Sequence, residues 1–310
     1  MLVILELDKR TTMKNIPLVS VAIITYNQIN FLIEAIESVL EQDYPNIEIV
    51  IADDCSIDGT QKVLADYKNR FPDKFRIILS DINEGITKNS NKAYFACSGK
   101  YISWLGGDDI MYKYKIHKQV EYLEKHTECS IAYHNLEVFD SDTGKIIQCF
   151  NNRKNKYNGG VERSIKYGTF NGASSTMVRS DKTPKQGFDE DLNVASDWLF
   201  WIETLLPNGK ICYIDEILGK YRRHENNITN KNSDLKLNAL KDNLKTCEKI
   251  LAYDKKYEKI INYRLSNVYI EMRKYGYFKN LIKSITYNIF NFKAIILIII
   301  YLGTLGLIKK

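Results

Sequence analysis

Residues 49–60 read IVIADDCSIDGT, from Ile49 to Thr60, an apolar run that ends on the adjacent carboxylates Asp53 and Asp54. Such a run, without alternation, predicts a strand covered on both faces, as in a parallel sheet. Residues 101–112, YISWLGGDDIMY, repeat the design: apolar through Leu105, then Gly106, Gly107, Asp108 and Asp109. A strand that stops on carboxylates delivers them to the C-terminal edge of its sheet, where open α/β sheets bind ligands. Carboxylates there suit a divalent cation that neutralises phosphate. The two strand ends therefore point to an enzyme that handles a nucleotide diphosphate.

Working outward, Val19–Thr25 (VSVAIIT) is a further buried strand, followed by a loop over Tyr26–Asn30 with Asn30 as a helix N-cap. Leu32, Ala35, Ile36, Val39 and Leu40 recur at helical spacing, and Tyr44-Pro45-Asn46 breaks the chain before the strand Ile47–Ala52. Thr60–Tyr67 and Lys88–Ala96 read as helices, with Phe75–Leu79 and Tyr101–Leu105 as strands. Strand and helix thus alternate through the first 105 residues, the order of a doubly wound, mostly parallel α/β sheet. Beyond Lys115 the expectation is a helix over Lys115–His126, a strand over Ser130–Phe139 and a polar loop or flap over 140–160. A short strand follows over Gly172–Val178, then an aromatic helix over Asp197–Leu206, a strand over Lys210–Ile214 and mostly helix from Leu235 to Lys283. The expected layout is an extension over 1–16, an α/β domain over 17–230, a helical region over 231–284 and an apolar segment over 285–310.

At 45% hydrophobic and 26% charged residues the chain is an ordinary globular protein. Its net charge of +6 is scattered, with no basic stretch interleaved with aromatics, which argues against a nucleic-acid partner. Cys55, Cys97, Cys129, Cys149, Cys212 and Cys247 form no CxxC pair and no zinc spacing, so they read as thiols of a reducing compartment. MLVILELDKR lacks the length and cleavage site of a signal peptide. Ala294–Ile308 carries no charge and is closed by Lys309 and Lys310. It falls short of the roughly 20 residues of a full span. Such a run is hard to cover in a soluble domain, which favours an embedded or interfacial membrane anchor over a buried helix.

Four segments in this order resemble the inverting family-2 glycosyltransferases of the GT-A fold, of the bacterial surface-polysaccharide type: PLVSVAIITYNQINFLIEAIESVLEQDYPNIEIVIADDCSIDGT, NEGITKNSNKAYFACSGKYISWLGGDD, ASDWLFWIETL and YRRHENNIT. The resemblance covers roughly residues 17–230. It places Thr25, Tyr26 and Asn27 beside the nucleotide base, where an aromatic stacks and a hydroxyl and an amide hydrogen-bond. It implies that Asp53 or Asp54 accepts a hydrogen bond from a uracil-type imide or the ribose. Ser56, Asp58 and Thr60 build the turn and cap the next helix. Asn83, Gly85 and Asn91 match the family's N-x-G and the Asn that follows. Gly85 permits a tight path near the ligand, and Asn91 reaches the ribose or packs.

Asp108 and Asp109 match the family's metal motif for Mn or Mg, with Asp108 on ribose or metal and Asp109 on metal. Gly106 stands where many members carry the first Asp, which leaves fewer direct ligands. His224 adds a ligand or touches the diphosphate, and Arg222 or Arg223, with Arg223 preferred, pairs with phosphate. Asp197 matches the catalytic base that removes a proton from the acceptor hydroxyl; read locally, it is also a helix N-cap. Trp198 and Trp201 shape an acceptor pocket or pack in the core.

The resemblance implies a metal-dependent transferase that moves a sugar from a nucleotide-sugar donor, UDP-linked, to a hydroxyl of a growing surface glycan. The apolar C-terminus suggests a lipid-linked acceptor at the cytoplasmic face of the cell membrane. Two rival readings differ in kind. A sugar nucleotidyltransferase usually opens with a Gly-rich phosphate loop, and Thr25-Tyr26-Asn27-Gln28 stands there instead. A non-catalytic glycan-binding or nucleotide-binding module would have no need to keep Asp108, Asp109 and Asp197 together.

Overall fold

The computed structural model of the 310-residue chain describes residues 16–151, 156–206, 208–225, 227 and 233–304. The expected extension, save Ile16, and the last six residues lie outside the described residues. The elements run β1 (Val19–Thr25), α1 (Ile29–Leu40), β2 (Ile47–Asp53), α2 (Thr60–Arg70), β3 (Phe75–Leu79), α3 (Ile86–Ala96), β4 (Tyr101–Gly106), β5 (Ile110–Met111) and α4 (Lys115–Lys125). Then come β6 (Cys129–Asp140), β7 (Ile146–Cys149), α5 (Val161–Tyr167), β8 (Thr176–Arg179), α6 (Ser196–Leu205) and β9 (Lys210–Arg223). Four helices close the described chain: α7 (Ser233–Tyr253), α8 (Glu258–Glu271), α9 (Tyr277–Tyr287) and α10 (Phe292–Gly303).

The main path of the sheet is β3-β2-β1-β4-β8-β6-β9-β5, with β7 added beside β6. The first four strands are parallel, as the alternating strands and helices predict. The second half is mixed: β6 and β9 pair in parallel, while β8, β5 and β7 all pair antiparallel with their neighbours. Alternate residues of β1 enter opposite cores. Val21 and Ile23 pack with Leu32, Ile36, Leu64 and Ile116 on one face, and Ala22 packs with Ala93, Trp198, Leu199 and Ile261 on the other. The period of two along a strand, with helices on both faces, makes these runs apolar throughout.

Several sequence expectations shift. Helix α1 begins at Ile29 with Gln28 at its N-cap position, so Asn30 lies inside the helix rather than capping it. Asp58 takes the capping role from a distance: Oδ2 accepts from Ile29 N at 2.9 Å, and Oδ1 accepts from Thr60 N at 3.1 Å. The polar 140–160 segment contains β7, and β9 runs to Arg223, well past Ile214. The expected boundary between 284 and 285 falls inside α9. Cys129 and Cys212 form a disulfide between β6 and β9, with Cα atoms 6.0 Å apart, in place of two free thiols. Their spacing of 83 residues gave no local signal; the parallel pairing of β6 with β9 brings them together.

Candidate active site

The register of the parallel strands aligns the functional ends. Thr25 lies opposite Asp53, and Ile24 lies opposite Gly106, so three strand ends form one edge. Two turns meet there. Asn27, at φ 48°, presents Oδ1 to Ile57 N at 2.9 Å, and its own N–H donates to Ser56 Oγ at 2.8 Å. Asn tolerates this left-handed backbone better than most residues. The tie leaves Tyr26 exposed at the rim and Thr25 buried, its Oγ1 without a hydrogen-bond partner among the described residues.

The acidic pair after β2 builds the edge. Asp53 is fully buried and accepts from Ser56 N at 3.0 Å, from Gln61 Nε2 at 3.3 Å and from Ser56 Oγ. Through these bonds Asp53 holds the 53–56 turn. Asp54 accepts from Glu84 N at 2.9 Å and Gly85 N at 2.8 Å, and so fixes the loop that carries Asn83 and opens α3. Gly85 has φ 90°, a backbone that penalises any side chain. Asn83 is exposed on that loop. Asn91 packs: its Nδ2 donates to Phe188 O at 2.9 Å and Glu190 Oε1 at 3.0 Å, and its Oδ1 accepts from Phe188 N at 2.7 Å. Both ends of its amide are thus engaged with the 188–190 segment. Asn89, one helix position away from notice in the sequence, instead reaches the strand ends, donating to Ala52 O at 2.9 Å; its Oδ1 is buried without a partner among the described residues.

The second acidic pair joins β4 to the end of β9. Asp108 Oδ2 lies 2.9 Å from His224 Nε2 and accepts from Asn227 Nδ2 at 3.2 Å. Asp109 is buried; its Oδ1 accepts from Arg222 N at 2.9 Å and its Oδ2 accepts from Ser174 Oγ, while Ser174 Oγ also accepts from Gly106 N at 2.9 Å. Burial, then the charge of Asp108, pushes the Asp109 carboxyl well above the usual carboxylate range. Behind it the fully buried Lys115 donates from Nζ to Ser103 Oγ at 3.0 Å. Burial lowers its pKa to about 7, opposed by the charge of Asp109.

Arg222 is a scaffold residue. It donates from Nε to Asp108 O at 2.7 Å, pairs with Glu34 at 2.6 Å, and lies 4.5 Å from the centroid of the Phe31 ring. Arg223 is partly exposed and lies over the Tyr221 ring, 5.1 Å from its centroid.

Among the described residues no group of three His, Cys, Asp or Glu side chains is arranged to hold a metal ion. The donor set nonetheless fits a divalent cation. A Cβ on Gly106 would stand 2.8 Å from Asp108 Oδ1 and 3.3 Å from Asp109 Oδ2, so the missing side chain leaves a gap walled by two carboxylates. Mg or Mn needs only one or two protein carboxylates when diphosphate oxygens and water supply the rest. Ser174 and Asn227, which line this cluster, have no acidic or metal-binding signature in the sequence; only the register of β8 and the end of β9 places them.

Asp197 lies in the first turn of α6. Burial raises its pKa to about 6, opposed by the backbone N–H of Trp198 and by the Trp201 indole. Trp201 Nε1 is buried without a hydrogen-bond partner among the described residues. Both tryptophans are core residues: Trp198 and Trp201 are fully buried, and Trp198 Nε1 donates to Ser164 O at 3.0 Å.

Helix α6 has no side-chain N-cap of its own. Asp242 of α7 instead anchors the segment entering it, with Oδ2 accepting from Val194 N at 2.8 Å and Ala195 N at 3.1 Å. Thr87 Oγ1, on the first turn of α3, lies 3.0 Å from Ser196 Oγ. The residue before Asp197 is thereby held against the loop that Asp54 fixes.

Comparison with known proteins follows this geometry. Residues 20–181 match the family Glycosyl transferase family 2. The uncharacterized glycosyltransferase MJ1057 of Methanocaldococcus jannaschii is 30% identical over 223 residues, 70% of this chain and 72% of the relative. TuaG of Bacillus subtilis, whose name assigns it to teichuronic acid biosynthesis as a glycosyltransferase, is 26% identical over 215 residues, 69% of this chain and 82% of its own. Among solved structures, S. aureus TarS 1–349 in complex with UDP-GlcNAc superposes with a TM-score of 0.68 at 20% identity, covering 87% of this chain and 79% of that one. The mannosyltransferase PcManGT of Pyrobaculum calidifontis, in complex with GDP-Man and Mn2+, gives 0.61 at 14% identity over 87% and 74%.

Proposed function

We propose, for a chain that belongs to glycosyl transferase family 2, the inverting transfer of one sugar from a UDP-linked donor to a hydroxyl of a growing, lipid-linked surface glycan. The chain is a glycosyltransferase with the GT-A fold; donor, acceptor and stereochemistry are what the proposal adds. The observation that supports it is the link from Asp54 through Gly85 and Thr87 to Ser196, the residue before Asp197.

In this reading the base stacks on the exposed Tyr26 ring, with Thr25, Asn27, Asp54 and Asn83 around base and ribose. Asp53 supports the turn beneath. Arg223 pairs with the diphosphate. Asp108 and Asp109, with His224 beside them, would hold Mn or Mg, which supplies Lewis-acid stabilisation of the leaving diphosphate when bound. Asp197 takes the proton from the acceptor hydroxyl as the sugar carbon is attacked from the face opposite the leaving group. A carboxyl with a pKa of about 6 is ionised at neutral pH yet basic enough to accept that proton. UDP as the nucleotide is supported by the TarS complex with UDP-GlcNAc, and a divalent cation by the PcManGT complex with Mn2+. The exposed apolar side chains of α10 support an acceptor at the cytoplasmic face of the cell membrane; no described helix is long and apolar enough to cross a bilayer.

Calorimetric titration with UDP, in Mn2+ and in EDTA, tests the donor half directly. Binding that strengthens at least about tenfold with Mn2+ and weakens in Tyr26→Ala is expected; binding indifferent to both would contradict the reading.

A further inference from the structure

We infer that the α9–α10 hairpin is an in-plane wedge for the interface of an anionic bilayer. The inference deepens the membrane placement proposed above and is independent of the transfer chemistry. The hairpin closes on a small core that it shares with Ile270 of α8, Leu281 and Ala294 with Leu297 and Ile298 against them, apart from both cores of the sheet. Outside that core its largest apolar side chains face outward. In α10, Phe292, Ile296, Ile299 and Leu302 recur at helical spacing and are all more than half exposed. Ile289 and Phe290, in the link from α9, extend the same apolar character, with Phe290 at 72% exposure. Phe278 and Ile282 add to it from α9, and Phe278 stacks on Tyr301 of α10 at 5.3 Å, which ties the two helices together.

The charge identifies the occupant. Residues 272–304 carry Arg273, Lys274, Lys279, Lys283 and Lys293 and no acidic residue. Cations flanking exposed Phe, Ile and Leu match a surface of anionic headgroups over acyl chains. A second copy of the hairpin would bring a like-charged surface against this one. The 12 residues of α10 rise only about 18 Å, against about 30 Å of hydrocarbon, so the helix lies in the interface. The membrane-facing surface therefore begins at Phe278, before the start expected at residue 285.

The test is flotation of the full chain with lipid-free protein as control, using vesicles of phosphatidylcholine alone and vesicles containing phosphatidylglycerol. The expected result is at least about tenfold stronger binding to the anionic vesicles, lost in 0.5 M salt. The pair Phe290→Ser and Phe292→Ser should abolish binding while leaving the circular dichroism and metal-dependent nucleotide release unchanged. Lys279→Gln with Lys293→Gln, which keeps the apolar wedge, should remove the preference for anionic lipid. Equal binding to both vesicles, or flotation retained in the phenylalanine pair, overturns the inference. So does a lipid-free dimer that the phenylalanine pair dissociates, which would make a second copy the occupant. Loss of nucleotide release in every lipid condition would count against the proposed reaction and leave the lipid result standing.

Discussion

The carboxylate of Asp108 meets the imidazole of His224 at 2.9 Å, across a separation of 116 residues, and so locks the end of β4 to the end of β9. The contact turns one acidic oxygen toward His224 and Asn227 and leaves the other facing the gap at Gly106. His224→Ala removes that lock. It is expected to raise the Mn2+ concentration for half-maximal activity about tenfold, equivalent to about 1.4 kcal/mol, with His224→Gln recovering part of the loss. A metal titration of nucleotide release checks it; an unchanged midpoint in His224→Ala would separate His224 from the metal.

Gly106→Ala tests the gap itself. The backbone there permits a side chain, but the new Cβ would stand 2.8 Å from Asp108 Oδ1. Asp108 must swing away, so metal affinity should fall by about tenfold, roughly 1.4 kcal/mol, while the melting temperature moves little. Direct titration with Mn2+ reads the difference.

Asp197 gives a pH prediction with a definite sign. Its folded pKa is raised to about 6 from 3.8 by burial. The base must be ionised, so turnover should fall as pH drops through about 6. A folded state that binds the proton more tightly than the unfolded one loses stability as pH rises from about 4 to 6. At pH 7.5 Asp197→Asn should therefore stabilise the protein, by up to about 3 kcal/mol, and cost about 10²-fold or more in turnover. Near-normal turnover in this variant would remove the base assignment; a stability loss would contradict the electrostatic account.

Asp242 acts on Asp197 through backbone. Its carboxylate anchors the entry to α6 at Val194 N and Ala195 N. Asp242→Ala should lower kcat about tenfold with the donor KM within about twofold, and shift the acid limb as Asp197 becomes more exposed. Asp242→Asn keeps an acceptor for both N–H groups and should retain most of kcat. Equal losses in both variants, with an unmoved pH profile, would reduce Asp242 to a stability role.

The parallel half of the sheet was legible because its central strands are covered on both faces: Val19–Thr25 and the strand ending at Asp53 appear where mostly apolar runs put them, and the edge strand Phe75–Leu79 follows from the alternation of strand and helix. The mixed half was less so. β9 was expected to end at Ile214, but it carries on past an irregularity at Asp215–Glu216, where its register with β6 skips from Ile214 to Ile217, and runs to Arg223. The site divides the same way. Asp108 and His224 announce themselves by type and motif, and they meet. Asp53 and Asn91 match the same motifs, and both also hydrogen-bond the scaffold, which no local pattern announced. Ser174, Asn227 and Asp242 matter only through long-range contacts, and an isolated Ser, Asn or Asp carries no local signal of such a role.

Release of free nucleotide from a panel of UDP-, dTDP- and GDP-sugars tests the central claim most directly, run in Mn2+, Mg2+ and EDTA on wild type and Asp109→Asn. The account predicts release from one UDP-sugar, supported by either metal, absent in EDTA and lost in Asp109→Asn. Release that persists in EDTA and in the variant would contradict it.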